Sequence, residues 1–207
     1  MRVENIRARV PRSFRLVTTD SQHRLPVAEN LLNQDFSADQ LNQIWLTDIT
    51  YIHTMEGVTY LCTIQDLCSR RIVGWATSQM IDTRLVLKAL NQAILFRNPD
   101  PALIVHSDRG SQYAALAFQN RLAERGFRQS MSRKGNCYDN APMESFFRSF
   151  KAEEVYLNHY GTHEQATRAV SSYIDRFYNP HRLHSSLKYL SPMEFEQLRF
   201  PESKVSR

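Results

Sequence analysis

Apolar and polar positions change rhythm several times along this chain, and each change predicts an element. Residues 44–54, Ile-Trp-Leu-Thr-Asp-Ile-Thr-Tyr-Ile-His-Thr, are dense in β-branched and aromatic side chains and read as a strand. Glu56-Gly57 is a turn signal, and further strands are expected at Val58–Asp66 and Arg71–Thr77, which together suggest an antiparallel meander. Thr83–Phe96 carries Leu85, Leu87, Leu90, Ile94 and Leu95 and predicts an amphipathic helix ended by Pro99 and Pro101. Leu103–His106 reads as a short apolar strand, Ala114–Arg125 as a helix closed by Gly126, and Phe127–Met131 as another strand. Further helices are expected near Glu164–Phe177 and from Ser191-Pro192 onward. The order of strands and helices predicts an α/β fold with a mixed five-stranded sheet flanked by helices.

The most informative pattern lies between Lys134 and Lys151. Its first half reads as a loop, with Gly135, Asn136, Asp139 and Asn140 as turn formers. Asp139 or Asn140 is expected to cap the helix that follows, with Pro142 in its first turn. Met143, Phe146, Phe147 and Phe150 then gather on one side at helical spacing. Glu144, Arg148 and Lys151 share another face, because i, i+4 and i+7 stack on a helix. The helix therefore buries a Met/Phe face and presents one acid with two bases. Taken alone, that charged face is also what a solvated surface would look like.

Composition narrows the setting. The chain has 207 residues, enough for one well-buried domain with an appendage. No apolar run approaches a membrane span, and the N-terminal residues lack the apolar core of a signal peptide. Cys62, Cys68 and Cys137 are a sparse, odd set that fits a reducing cytosol. Net charge is 26 − 21 = +5, and residues 1–25 carry six arginines against Glu4 and Asp20. Residues 1–34 are thus expected to form a basic arm or linker, with Arg7, Arg9 and Arg12 set to meet nucleic-acid phosphates. The main domain is expected over 35–199, with a tail at 200–207.

Two aspartates give the charged helix its meaning. Asp48 lies within the first strand among apolar neighbours, where an isolated carboxylate costs several kcal/mol unless compensated. Asp108 lies just past the fourth strand, in His106-Ser107-Asp108-Arg109-Gly110. A salt-bridged Asp48 and a turn-forming Asp108 are the ordinary alternatives. If the first and fourth strands are neighbours, however, the two carboxylates come together, and the helix bearing Glu144 has to pack beside them. Three hard oxygen donors favour Mg²⁺ or Mn²⁺ over zinc, and a metal pair suits in-line displacement at phosphorus. His181 and His184 have no accompanying cysteine pair, so no zinc site is expected there.

Trp45-x-Thr47-Asp48-Ile49-Thr50-Tyr51, His106-Ser107-Asp108-Arg109-Gly110-Ser111-Gln112-Tyr113 and Asp139-Asn140-Ala141-x-x-Glu144-Ser145-Phe146-Phe147 resemble the motifs of DDE transposases. More narrowly, they resemble the OrfB-type transposases of bacterial insertion sequences, whose core is similar to retroviral integrase. Ser69–Trp75 and Tyr178-Asn179-x-x-Arg182-x-His184-Ser185-Ser186-Leu187 extend the likeness, which runs from about Asn42 to Phe195. The 35 residues between Asp108 and Glu144 match the family spacing.

The resemblance implies an RNase H-like fold in which Asp48, Asp108 and Glu144 are the catalytic acids and hold two Mg²⁺ ions. It implies cleavage at transposon ends and joining of a 3′-hydroxyl to target DNA. It places Lys151 against DNA near the active site; Arg148, on the same face, and Lys134 are also expected to contact DNA. The implied partners are DNA, further copies of the chain and the product of an upstream reading frame, in the bacterial cytoplasm at the nucleoid. The family's helix-turn-helix region is expected to be missing ahead of the core. That expectation opens an alternative of another class: a truncated, non-catalytic chain that occupies DNA or full-length subunits.

Overall fold

The structure is a computed structural model describing residues 25–133 and 137–201, with backbone only at Cys137 and Tyr138. Arg7, Arg9, Arg12 and Lys134 lie outside the described residues.

Five strands form one sheet in the order β3-β2-β1-β4-β5. Strands β1 (Ile44–Thr54), β2 (Gly57–Asp66) and β3 (Ile72–Ser78) make the antiparallel meander, while β4 (Ile104–Ser107) and β5 (Arg128–Met131) run parallel to β1. Pairing β1 with β4 in parallel requires a crossover, supplied by α1 (Thr83–Arg97). Asp82 caps that helix by accepting from the Leu85 N–H, and Asn98 ends it in the left-handed region. Gly74 of β3 lets α1 come close, since a Cβ there would lie 2.5 Å from the Ala89 carbonyl oxygen.

Alternation along β1 sends Trp45 and Ile49 to one face of the sheet and Leu46 and Ile52 to the other. The first face is covered by α1, α2 (Ser111–Ala114) and α3 (Leu116–Glu124). The second is covered by α4 (Ala141–Glu153) and by a long helix running from α5 (His163–Ser171) through a π-helical segment (Ser172–Tyr178) to α6 (Asn179–His181). Met143, Phe146, Phe147 and Phe150 of α4 are buried against this face, as their spacing predicts. Each fully buried large apolar side chain contributes about 1.5–3 kcal/mol.

A charged cluster fastens the end of the chain to the sheet. Helix α7 (Pro192–Arg199), begun by a Ser191/Glu194 capping box, carries Glu196. Glu196 Oε2 accepts from Arg71 Nη1 at 2.6 Å, and Oε1 accepts from Arg97 Nη2, with all three side chains at least nine-tenths buried. Both guanidinium groups also lie against the Phe96 ring. Nearby, Asp66 is pushed up to about 6 by burial, despite hydrogen bonds from the Asn42 and Ser69 N–H groups and the charge of Arg97.

Three local expectations are corrected. The helix expected over Ala114–Arg125 is broken at Ala115, which is extended at φ −66° and ψ 138°. The break lets Tyr113 reach into the core under β1 while Phe118 packs edge-on against its ring. Leu95 does not belong to the buried face of α1, being 87% exposed, because it sits 100° beyond Ile94. Asp139 does not cap α4, and Asn140, at the cap position, makes no side-chain cap bond. Both are engaged elsewhere.

Candidate active site

The parallel register of β1 and β4 settles where the two aspartates lie. Ile44 pairs with Ile104, Trp45 with Val105 and Leu46 with His106, an offset of 60 residues. Asp48 and Asp108 share that offset (108 − 48 = 60), two positions beyond the last paired residues. Asp48 therefore sits on β1 level with Asp108 in the loop leaving β4. Strand alternation turns Asp48 to the face covered by α4.

Three anchors hold this arrangement. On the opposite face Thr47 Oγ1 lies 3.2 Å from Tyr113 Oη and 3.5 Å from Cys62 Sγ, tying the loop after Asp108 to β1. Burial pushes the Cys62 thiol up to about 12, so this sulfur packs as a neutral group. In the loop, the Gly110 N–H donates to Asp108 Oδ1 at 2.9 Å, and a Cβ at Gly110 would stand 3.0 Å from that oxygen. Above the strand, Asn140 Nδ2 donates to the Thr47 carbonyl at 3.3 Å, which ties the start of α4 to the residue before Asp48. Glu144 follows one turn later, exposed beside Asp48.

The electrostatics are those of carboxylates crowded together. Burial, then the negative charges of Asp108 and Glu144, push Asp48 well above the ordinary carboxylate range. The Ile49 N–H, at 2.7 Å from Oδ1, and the Lys151 ammonium pull the other way. Lys151 is half-buried, with Nζ 4.4 Å from the centroid of the Tyr51 ring, and burial lowers its pKa. Arg148 is exposed on the same side of α4 and has no ion pair among the described residues. Also among those residues, no three His, Cys, Asp or Glu side chains are gathered closely enough to cage a metal ion.

Sequence reasoning missed the scaffold behind this site. Asp139 accepts from Arg133 Nε and Nη2, the Arg133 N–H, Asn30 Nδ2 and Gln34 Nε2, all at 2.7–3.0 Å. The Arg133 hydrogen bonds hold its carboxyl well below the usual range. His106, buried beneath, contacts Ser130 Oγ and the Asp139 carbonyl, each at 2.8 Å, and burial pushes its pKa down to about 4. The segment around Asn30 is thereby bound to the loop between β5 and α4. The signal was present, since His106 and Asp139 stand inside the acid-bearing motifs. Their partners lie up to 109 residues away in sequence.

The two outlying motifs also meet. Asn179 Oδ1 accepts from the Ile72 N–H and Nδ2 donates to the Ile72 carbonyl, at 2.9 and 3.0 Å. Tyr178 Oη and Gln65 Nε2 both donate to the Arg70 carbonyl. Arg70 itself takes φ +62°, a left-handed conformation costing about 1 kcal/mol or more for a residue with a side chain.

This sheet, with one aspartate on β1, another in the loop leaving β4 and a glutamate on the helix above, has the fold of an integrase-type core. Residues 38–137 and 144–200 each match the family described as Integrase core domain. The chain belongs to the insertion-sequence transposases of the DDE integrase superfamily. It is 43% identical over 196 residues to the transposase InsF of insertion sequence IS3A from Escherichia coli K12, covering 95% of this chain and 68% of that one. It is 46% identical to the transposase of IS904 from Lactococcus lactis, covering 81% of this chain and 66% of that one. A 31 kDa insertion element IS600 protein of Shigella sonnei is 44% identical, over 93% of this chain and 70% of its own length. Two structural neighbours share the RNase H-like fold at low identity. A chain of the simian T-cell lymphotropic virus intasome structure has TM-score 0.63 and 16% identity, covering 88% of this chain and 61% of its own. The HTLV-2 integrase catalytic core, solved in complex with magnesium, has TM-score 0.58 and 12% identity, covering 77% of this chain and 99% of its own. Among the described residues, no helix is long and apolar enough to cross a membrane.

Proposed function

We propose that this core cleaves the ends of a transposable DNA element and joins the freed 3′-hydroxyl to target DNA. In this reading Asp48, Asp108 and Glu144 are the catalytic acids and share two divalent cations, Mg²⁺ or Mn²⁺. The observation that carries it is the shared register of Asp48 and Asp108, with Asp48 raised by burial and then by the negative charge of its two neighbours. Oxygen-only donors suit a hard cation, and the mutual repulsion of the carboxylates is relieved when positive charge enters. Bound there, the ions would lower the pKa of the attacking water or hydroxyl and offset charge on the leaving oxygen.

The chain's own residues supply the rest. Asp48 and Asp108 are fixed by the sheet and by the Gly110 and Ile49 N–H groups, so their oxygens are positioned before DNA arrives. Glu144 is held by the α4 start through Asn140. Lys151 and Arg148 offer positive charge beside the carboxylates and would take phosphates flanking the reacting one. The reading includes assembly of several copies on DNA.

A strand-transfer assay with pre-cleaved ends and Mg²⁺ or Mn²⁺ tests it. Joined products from the parent chain and none from Glu144→Gln are expected. Equal product from both would remove Glu144 from the chemistry.

A further inference from the structure

A second cleft lies a third of a turn round α4 from Glu144. It encloses about 640 Å³ between α4, the β2–β3 turn and the segment after α6. Ser145 and Ser149 face it from α4, Arg70 from the turn, and Arg182, His184 and Tyr189 from the far wall. Among the described residues, no aspartate or glutamate lines it.

Its polar atoms are incompletely used. Arg182 is held by Glu153, through Nε and Nη2, and by Ser149 Oγ. Arg70 has no carboxylate within ion-pair distance among the described residues, and its Nη1 has no hydrogen-bond partner. The Gln65 Oε1 and His184 Nε2 in the same walls are also without hydrogen-bond partners among the described residues, and Gln65 is 1% exposed. Burial and the charges of Arg182 and Arg70 push His184 down to about 4, a sign of positive potential in the cleft. Unpaired buried polar atoms are rare in folded proteins, and three around one cleft point to a missing ligand.

The backbone agrees. Arg70 is left-handed, and so are Lys188 and Tyr189, at φ 57° and 60°. Consecutive left-handed residues with side chains are unusual, and such strain gathers at binding sites. It leaves the Tyr189 ring on the rim, 71% exposed.

We propose that this cleft binds an unpaired stretch of DNA strand next to the active site, with a phosphate on Arg70 and a base stacked on Tyr189. This rests on the proposed action on DNA. A cleft of this volume is the size of a small-molecule site and takes an unpaired nucleotide or two, whereas duplex DNA offers it only a convex backbone. Cationic grooves with an aromatic platform bind single strands with little sequence preference.

The test is fluorescence anisotropy of the full chain without divalent metal, using a short labelled oligothymidine and a duplex. Arg70→Asn, which tolerates the left-handed backbone, is expected to weaken oligothymidine binding about tenfold and reduce the salt slope by about one phosphate. Tyr189→Asn is expected to weaken it about tenfold with the slope unchanged. Duplex affinity should stay within about twofold of the parent. An oligonucleotide carrying 5-iodouracil should crosslink to Tyr189. Unchanged oligothymidine affinity in Tyr189→Asn, or equal losses on duplex and single strand, would overturn the proposal. So would crosslinks only at other residues, or displacement of the oligonucleotide by inorganic phosphate at matched phosphate concentration. If Arg70→Asn does not fold, Tyr189→Asn and the crosslink decide. Strand transfer lost in Glu144→Gln while these bindings stay unchanged from parent to variant would sink the cleft alone. Cleft variants that lose binding in a chain that joins no DNA would sink the proposed function alone.

Discussion

Two charged sites in this fold treat their carboxylates in opposite ways. Glu196 lies between Arg71 and Arg97, with almost no solvent access and both oxygens occupied. Asp48 lies beside Asp108 and Glu144, where its neighbours carry its own sign and Lys151 only partly offsets them. A paired buried charge resists change, because removing one partner strands the others. A crowd of like charges invites a cation. The first group holds α7 to the end of α1 and the start of β3, and the second leaves its affinity unspent.

Breaking the paired group should give the largest effect. Glu196→Gln is expected to destabilise the fold by about 3–5 kcal/mol, because two buried guanidinium groups lose their counter-charge. Denaturant titration measures it, and a loss below about 1 kcal/mol would mean that water replaces the carboxylate. The opposite sign is expected at the active site. Asp48→Asn removes a charge that its surroundings disfavour, so in chelator the melting temperature should rise by a few degrees. Added Mg²⁺ should then raise the melting temperature of the parent and leave the variant unmoved. A variant that melts below the parent would show that the carboxylate is compensated by groups other than a metal. An exposed pair sets the lower bound. Glu164 and Arg168, 3.5 Å apart and mostly exposed on α5, should contribute less than about 0.5 kcal/mol. Arg168→Ala measured in the same titration checks this.

How much of this was legible in the sequence depended on the range of the interaction. The strands and α4 were readable because alternation and 3.6-residue spacing are local, and Phe146 and Phe150 are buried as their spacing requires. The neighbouring positions of β1 and β4 were not local information. The two aspartates raise that adjacency only as a condition, the resemblance of the motifs around them implies it, and the register explains the spacing. The break at Ala115 carries no glycine or proline signal, since it follows from where Tyr113 must reach. Asp139 looked like a helix cap because Asp before a helix usually is one. Its five hydrogen bonds come instead from Asn30, Gln34 and Arg133, two of them remote in sequence.

The π-helical turn at Ser172–Tyr178 bears on how this chain tolerates deletions. A widened turn is an extra residue absorbed without breaking the helix, and it sets the angular phase of everything downstream. Upstream, Ala166 and Val170 face the sheet, and downstream Asn179 grips Ile72. Losing one residue from the widened turn would restore regular winding and leave Asn179 and Arg182 near their present phase relative to α5, because that turn already holds one residue more than a regular one. Losing a residue from the regular turns of α5 would instead swing both by about 100° and turn the cleft wall away from α4. A one-residue deletion should therefore be better tolerated within Ser172–Tyr178 than within His163–Ser171.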